Sequence, residues 1–168
     1  LEPSYDHICP PPIKIKVISD EDDQKFKKYI RMVRGYYFLY KDGSDVDNKS
    51  NLSQKLEFIN NTISRAKKYD LPLMQQSRLI PILLDLATDE DEKLHIISLN
   101  TLASITFCAP DALKELIEYR FFDVVNMNLQ LPSFPGKRHL FRWICNFLTI
   151  HPDLSHIFFE NVPISIIF

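Results

Sequence analysis

Histidines and clustered carboxylates are the residues most able to do chemistry here, and their spacing does not suggest a reactive site. His151 and His156 lie five residues apart, with no acidic residue spaced to complete a metal site. The acidic run at 89–92 lacks the alternating ligands of a calcium loop. Nucleophile-elbow, P-loop, zinc-protease and dinucleotide-binding motifs are also missing. We therefore predict a non-enzymatic protein with no metal, cofactor or small-molecule substrate.

The cysteines, the hydropathy and the net charge indicate which compartment and which partners to expect. Cys9, Cys108 and Cys145 are far apart and form no C-x-x-C motif, which favours a reducing compartment, cytoplasmic or nuclear. No run of about 18 apolar residues is present, so no membrane partner is predicted. The formal net charge of -2 gives no overall attraction to nucleic acid, which is not expected as a partner.

Two basic stretches are candidate contact surfaces. Lys137, Arg138, His139 and Arg142 begin a predicted helix and could meet an acidic partner segment, although a merely solvated helix start is the alternative. The helix predicted around 25–34 combines basic and aromatic residues. It could face nucleic acid or protein, or its aromatics could cover the apolar end of a helical array.

The elements that must position these residues divide the chain into two parts. Residues 1–19 contain three consecutive prolines and then an alternating stretch, which predicts an extended arm. A helix is predicted over 21–40 and a polar loop or linker over 41–51. The remainder, 51–168, has apolar residues at helical spacing, beginning with the stripe Leu52, Leu56, Ile59, Ile63 and Ala66.

The chain is similar to itself at a period of about 42 residues. A helix-starting pattern at 78–84 recurs at 120–125 and again at 161–167. A second column, the middle of a long amphipathic helix, aligns Asn61, Ser104 and Asn146. Proline-marked joints precede the next unit at 108–111 and 151–153, where one helix ends and a short one begins.

A repeat of this length with one short and two longer helices resembles the armadillo family, with HEAT repeats as the near alternative. The resemblance covers roughly 52–168 and implies an all-α, right-handed superhelical solenoid of about three units. The units would be 51–70 in part, 71–108, 109–150 and 151–168 in part. The family usually places glycine between its first and second helices, whereas this chain has Arg78, Arg120 and Asn161, which predicts a wider turn.

The resemblance also implies a binding groove along the third helices. There the family's recurring asparagine bonds the backbone of an extended peptide, since an amide both donates and accepts. Capping or inter-helix hydrogen bonds are the alternative role for the matching positions. Members similar to importin-alpha place tryptophan one turn earlier, where this chain has Glu57, Asn100 and Arg142, and Trp143 is expected in the core. The predicted partner-binding residues are Asn61, Asn100, Ser104, Arg138, Arg142 and Asn146.

The function predicted from these features is a protein-protein interaction scaffold or adaptor that binds an extended peptide or a helix. Two alternatives stay open: a structural subunit of a large cytoskeletal or ribonucleoprotein assembly, and a nuclear transport adaptor similar to importin-alpha. The apolar stretch 162–168 has no following helix to cover it, so we expect further chain or assembly at that end.

Overall fold

The computed structural model describes residues 17–43 and 46–163, and all regular structure within those ranges is helical. Most of the predicted arm over 1–19 and the last recurrence of the helix-starting pattern beyond Pro163 lie outside the described residues. The helices are α1 Asp20–Lys41, α2 Val46–Ala66, α3 Leu71–Gln76, α4 Leu79–Leu86, α5 Glu92–Cys108, α6 Leu113–Glu118, α7 Phe121–Gln130, α8 Lys137–Ile150 and α9 Ser155–Asn161.

The first two helices show where local sequence decides a boundary and where it does not. The helix predicted over 21–40 is confirmed: the Ser19 hydroxyl caps α1 by accepting from the Asp22 amide, and four acidic residues occupy the first turn. The loop predicted over 41–51 is wrong from Val46 onward, where α2 is already helical. Lys49 in that stretch forms an ion pair with Asp91, so a tertiary contact stabilises a turn of polar residues.

The proline-marked joints repeat one backbone geometry. Ala109 has φ -126° and ψ 75°, and His151 has φ -125° and ψ 60°. A proline follows each and opens a 3-10 turn, Pro110–Ala112 or Pro152–Leu154. Asp70, before α3, is similar with φ -132° and ψ 90°, and Pro72 lies in the first turn. This backbone geometry before proline ends α5 and α8 and starts the next short helix, as predicted, whereas α2 already ends at Ala66.

The turns between the short and middle helices are sharp, and the wider turn expected at the arginines is wrong. Arg78 between α3 and α4 has φ 57°, and Arg120 between α6 and α7 has φ 74°. Both residues therefore hold the left-handed conformation that glycine adopts without strain. Asn161 instead is the last residue of α9, and its side chain bonds the Ile157 carbonyl.

The long helices α2, α5 and α8 pack side by side in that order, and α1 packs on α2. Helix α4 packs on both α5 and α1, and α7 packs on α8. Each long helix of the row thus has one further helix against it: α1 on α2, α4 on α5 and α7 on α8. The predicted stripe on α2 is buried except for Ala66, which is partly exposed. Trp143 is fully buried, as predicted, and its indole N-H donates to Thr106 Oγ1 at 2.9 Å.

A buried polar network joins α5, α7 and the turn after α4. The Asn128 amide donates to the carbonyls of Ala87, at 3.0 Å, and Val124, at 2.9 Å. Since Nδ2 faces two acceptors, Oδ1 is the atom that meets His95 Nε2 at 2.6 Å, and that nitrogen must carry its proton. The network satisfies groups that would otherwise be buried without partners.

Hydrogen bonds between neighbouring long helices repeat the sequence period. Ser104 reaches Asn60 across 44 residues, Asn146 reaches Ala103 across 43, and Arg142 reaches Asn100 across 42. From Arg142 with Asn100 to Asn146 with Ala103, the residue numbers on α8 and α5 rise together at a nearly constant separation, so these two helices run parallel. The period of about 42 residues is thus also the offset between contacting helices.

Candidate functional site

The outward side of α2, α5 and α8, which we term the long-helix face, carries the predicted partner-binding residues except Ser104, which is buried. Each of these helices is flanked by another long helix, and α4 and α7 pack on α5 and α8, so one side of the row is left to solvent. The exposed or partly exposed residues of the face include Glu57, Asn61, Ile96, Asn100, Arg138, Phe141, Arg142, Cys145 and Asn146.

Arg142 and Asn100 form the link between α8 and α5 on this face. Nη2 of Arg142 donates to the Asn100 carbonyl oxygen at 2.9 Å and also contacts the Asn100 side-chain oxygen. Both contacts use the same nitrogen, so the other guanidinium N-H groups are left for a partner. The contacts of Nη2 therefore hold the Arg142 guanidinium in place while its other N-H groups stay accessible.

Ser104 and Asn146 make inter-helix hydrogen bonds. The Ser104 hydroxyl donates to Asn60 Oδ1 at 2.8 Å, and Ser104 is buried. Asn146 Nδ2 donates to the Ala103 carbonyl at 2.8 Å, and the residue is only partly buried. Ser104 thus has a structural contact, whereas Asn146 retains its side-chain oxygen and one N-H for another molecule.

Asn61 and Arg138 are the two predicted residues whose side chains show no hydrogen bond or ion pair within the described part of the chain; the Asn61 backbone carbonyl accepts from the Ser64 hydroxyl at 3.4 Å. Asn61 is exposed and lines a hollow with Phe58 and Arg65 at the α1 edge of the face. Arg138 is exposed one turn before Arg142. The structure thus places Asn100, Arg142 and Asn146 close together across α5 and α8, with Arg138 beside them and Asn61 one helix away.

The α8 side of the face is a cationic patch, which we define as Arg138, His139 and Arg142. Burial lowers the pKa of the His139 imidazole, and the positive charges of Arg142 and Arg138 lower it further. Burial likewise lowers the pKa of the Arg142 guanidinium, with Arg138 as the next cause. No carboxylate within the described ranges forms an ion pair with any of the three.

The α2 side of the face is acidic. Glu57 and Glu92 line a groove with Ile96, Asn100 and one cation, Lys93. Neither glutamate forms an ion pair in the part of the chain that the structure describes. Asp91 lies in the same groove but is paired with Lys49 and caps α5 through the Leu94 amide. Asn100 borders both regions, so the charge on the face changes sign between α2 and α8.

Several residues of the face were not predicted. Phe141 is 38% exposed and Phe107 is 42% exposed, which leaves aromatic surface beside the cations. Lys67 lies over the Phe107 ring at 5.1 Å and contacts the Cys108 thiol at 3.9 Å. Burial raises the pKa of that thiol against the opposing effect of Lys67. Phe141 could have been found from the sequence, because it is adjacent to Arg142 on the polar side of α8.

No group of three or more potential metal ligands occurs among the residues that the structure describes, and His151 and His156 do not form one. No single described helix is long and apolar enough to cross a membrane. The consecutive segments Glu92–Cys108 and Pro110–Glu118 would together be long and apolar enough, but the chain bends by 113° between them.

Comparison of the chain with protein-family models, with curated proteins and with solved structures finds no match.

Proposed function

We propose that this chain is a non-enzymatic binding module that takes an extended peptide or a helix of another protein on the long-helix face. The arrangement proposed for it is an armadillo-like solenoid, in which α2, α5 and α8 are the third helices of successive units. The chain would serve as a scaffold or adaptor in the cytoplasm or nucleus.

The two left-handed arginines support the armadillo-like arrangement. Arg78 and Arg120 are 42 residues apart, and each occupies the turn where the family usually has glycine. Inter-helix hydrogen bonds with separations of 42 to 44 residues support the same unit length. A repeated unit that contacts mainly its neighbours is the defining property of a solenoid.

The observation that carries the proposed function is the linked set of polar groups across α5 and α8. Arg142 and Asn146 are each fixed by a bond to α5, and each retains donors or acceptors toward solvent. Groups fixed before binding lose little side-chain entropy when a partner arrives, which increases the affinity they can give. An extended peptide offers the backbone N-H and C=O groups that such side chains recognise.

A selection experiment tests this function. A library of random 12-residue peptides displayed on messenger RNA would be selected on the intact chain, and recovered peptides would be titrated by fluorescence anisotropy. We expect the triple variant Asn61→Ala, Arg142→Ala, Asn146→Ala to weaken binding at least tenfold. The matched control Gln24→Ala, Arg31→Ala, Gln130→Ala removes two amides and one guanidinium from exposed positions elsewhere and should bind like the parent chain.

The outcomes separate the alternatives. Peptides that bind the parent and control chains but not the face variant, with all three melting cooperatively, support recognition on the long-helix face. Peptides that bind all three equally place recognition elsewhere and contradict the proposal. Recovery of purely basic peptides would favour the importin-like alternative, while no recovered peptide and self-association of the chain would favour the structural subunit.

A further inference from the structure

The cationic patch has an electrostatic cost that the described part of the chain does not offset. Arg138, His139 and Arg142 lie close together on α8, and the Cys108 thiol of α5 is near Arg142. No carboxylate among the described residues forms an ion pair with any of the three. The like charges of Arg138 and Arg142, held together and partly removed from water, destabilise each other and also disfavour protonation of His139. An anionic group placed against the patch would relieve that repulsion.

The other end of the long-helix face, near α2, would instead favour a cationic group. Glu57 on α2 and Glu92 at the start of α5 are exposed acids without an ion pair in the described ranges, and they outnumber Lys93, which lines the same groove. Ile96 and Asn100 lie between them and α8 and provide apolar contact and an amide. The two charged regions are therefore separated by a short neutral strip.

We propose that the long-helix face selects an extended peptide of mixed charge, with an acidic residue on Arg138 and Arg142 and a basic residue toward Glu57. The inference rests on the proposed function and specifies its partner. Adjacent packed helices are about 8–10 Å apart, so α2 and α8 are about 16–20 Å apart. An extended chain rises about 3.3 Å per residue, which sets the two charges about five or six positions apart.

A nucleic acid fits the face less well than this peptide. A single strand has a negative charge at every nucleotide, so a strand that reached from the patch across α5 would meet Glu57 and Glu92. The face also offers only a few cations, whereas non-specific nucleic-acid binding depends on many phosphate contacts. A peptide can instead place one charge of each sign where each is needed.

The test uses defined probes and a matched pair of variants. Four labelled probes would be titrated: a 12-residue peptide with two glutamates and two lysines five positions apart, its all-lysine and all-glutamate versions, and a 12-nucleotide single-stranded RNA. The face variant is Arg138→Glu with Arg142→Gln. The control is Arg31→Glu with Lys28→Gln, which changes the net charge equally at two exposed positions of α1.

We expect the mixed peptide to bind at least tenfold more tightly than the other probes, and the face variant alone to lose that preference. Bound peptide should also raise the pKa of His139, followed by NMR, because its acidic residue offsets the two arginines. Tighter binding of RNA or of the all-lysine peptide, or an unchanged His139 titration with the mixed peptide bound, would overturn the inference. Library peptides that need the face yet lack acidic residues would also overturn it, and the proposed function would stand.

Discussion

Arg78 and Arg120 hold a backbone conformation that a side chain normally disfavours. At φ 57° and φ 74°, the β-carbon of each approaches the backbone more closely than in the right-handed region. The contacts that each makes are weak: Arg78 lies 5.9 Å from the Tyr119 ring centroid, and Arg120 forms an exposed ion pair with Asp123. The sharp turns are therefore imposed by the packing of the helices that they join.

Arg120→Gly should stabilise the protein. Relief of the left-handed strain contributes about 1–2 kcal/mol, and the greater freedom of glycine in the unfolded chain offsets about 0.4–1 kcal/mol of that. We expect a net gain of about 0.5–1 kcal/mol in the free energy of unfolding, measured with urea. Arg31→Gly, within α1, is the control and should lose about 1 kcal/mol. A loss at both positions would contradict the strain argument.

Asn128→Ala should be much more costly than an exposed asparagine substitution. The variant leaves the Ala87 carbonyl and the His95 Nε2-H without their partner in a buried site. We expect a loss of about 2–3 kcal/mol in urea unfolding. Asn61→Ala, on the exposed side of α2, is the control and should change stability by less than about 0.5 kcal/mol. Equal effects would show that the network contributes little.

Contacts between individual side chains were the features hardest to predict from the sequence. Asn60 and Asn61 are chemically identical neighbours, and only packing decides that Asn60 is buried against Ser104 while Asn61 faces solvent. Arg78 and Arg120 gave no sign of a sharp turn, because the usual sign is glycine. The pairing of His95 with Asn128 joins residues 33 positions apart, which no local pattern predicts.

Helices, in contrast, follow closely from local patterns. Ser19, Asp70 and Asp91 each cap a helix through a side-chain oxygen, and prolines mark the joints before the short helices. The start of α2 is the exception, because its polar first turn resembles a loop in the sequence; in the structure it is helical, and Lys49 in that turn forms an ion pair with Asp91. Propensity is a weak guide where a tertiary contact is available.

Two short hydrogen bonds from tyrosines to carboxylates join α1 to α4 and to the turn that follows it. Tyr37 donates to Asp85 and Tyr40 to Asp89, both at 2.6 Å, and Lys41 forms ion pairs with the same two acids. Burial raises the pKa of both phenols, and the neighbouring carboxylates raise each further. The protonated phenols thus stabilise the contact between the two helices.

Stability should fall as pH rises past the tyrosine pKa of the unfolded chain. A phenol whose pKa is higher in the folded state stabilises the fold fully below about pH 10 and loses that effect at higher pH. Tyr37→Phe with Tyr40→Phe should cost about 2 kcal/mol at pH 8 and make the decline above about pH 10 shallower. Urea unfolding at several pH values measures both. Tyr119→Phe is the control: its hydroxyl has no hydrogen-bond partner among the described residues, so stability should decline with pH as in the parent chain. A double variant Tyr37→Phe, Tyr40→Phe that declines as steeply as the parent would contradict the proposed role of the two phenols.

At the scale of the whole molecule, the period of about 42 residues is the feature that sequence and structure share. The sequence alignment of Ser104 with Asn146 has a counterpart in bonds from each to the preceding long helix. The all-helical class and the order of short and long helices followed from this period. The solvent side of α8 was also predicted, with Trp143 in the core and Arg138 and Arg142 outside it. The reversal of charge across the face depends on which helices pack together and was not predicted from the sequence.

Cys145 provides the most direct measurement of whether a partner occupies the long-helix face. This exposed thiol is one turn after Arg142 and next to Asn146, so a peptide bound there should cover it. The rate of its alkylation by a maleimide would be followed by mass spectrometry with and without a saturating peptide from the selection. We predict at least fivefold slower modification of Cys145, with no change at a reporter Gln24→Cys on α1. An unchanged rate at Cys145 with the peptide bound would contradict the central claim.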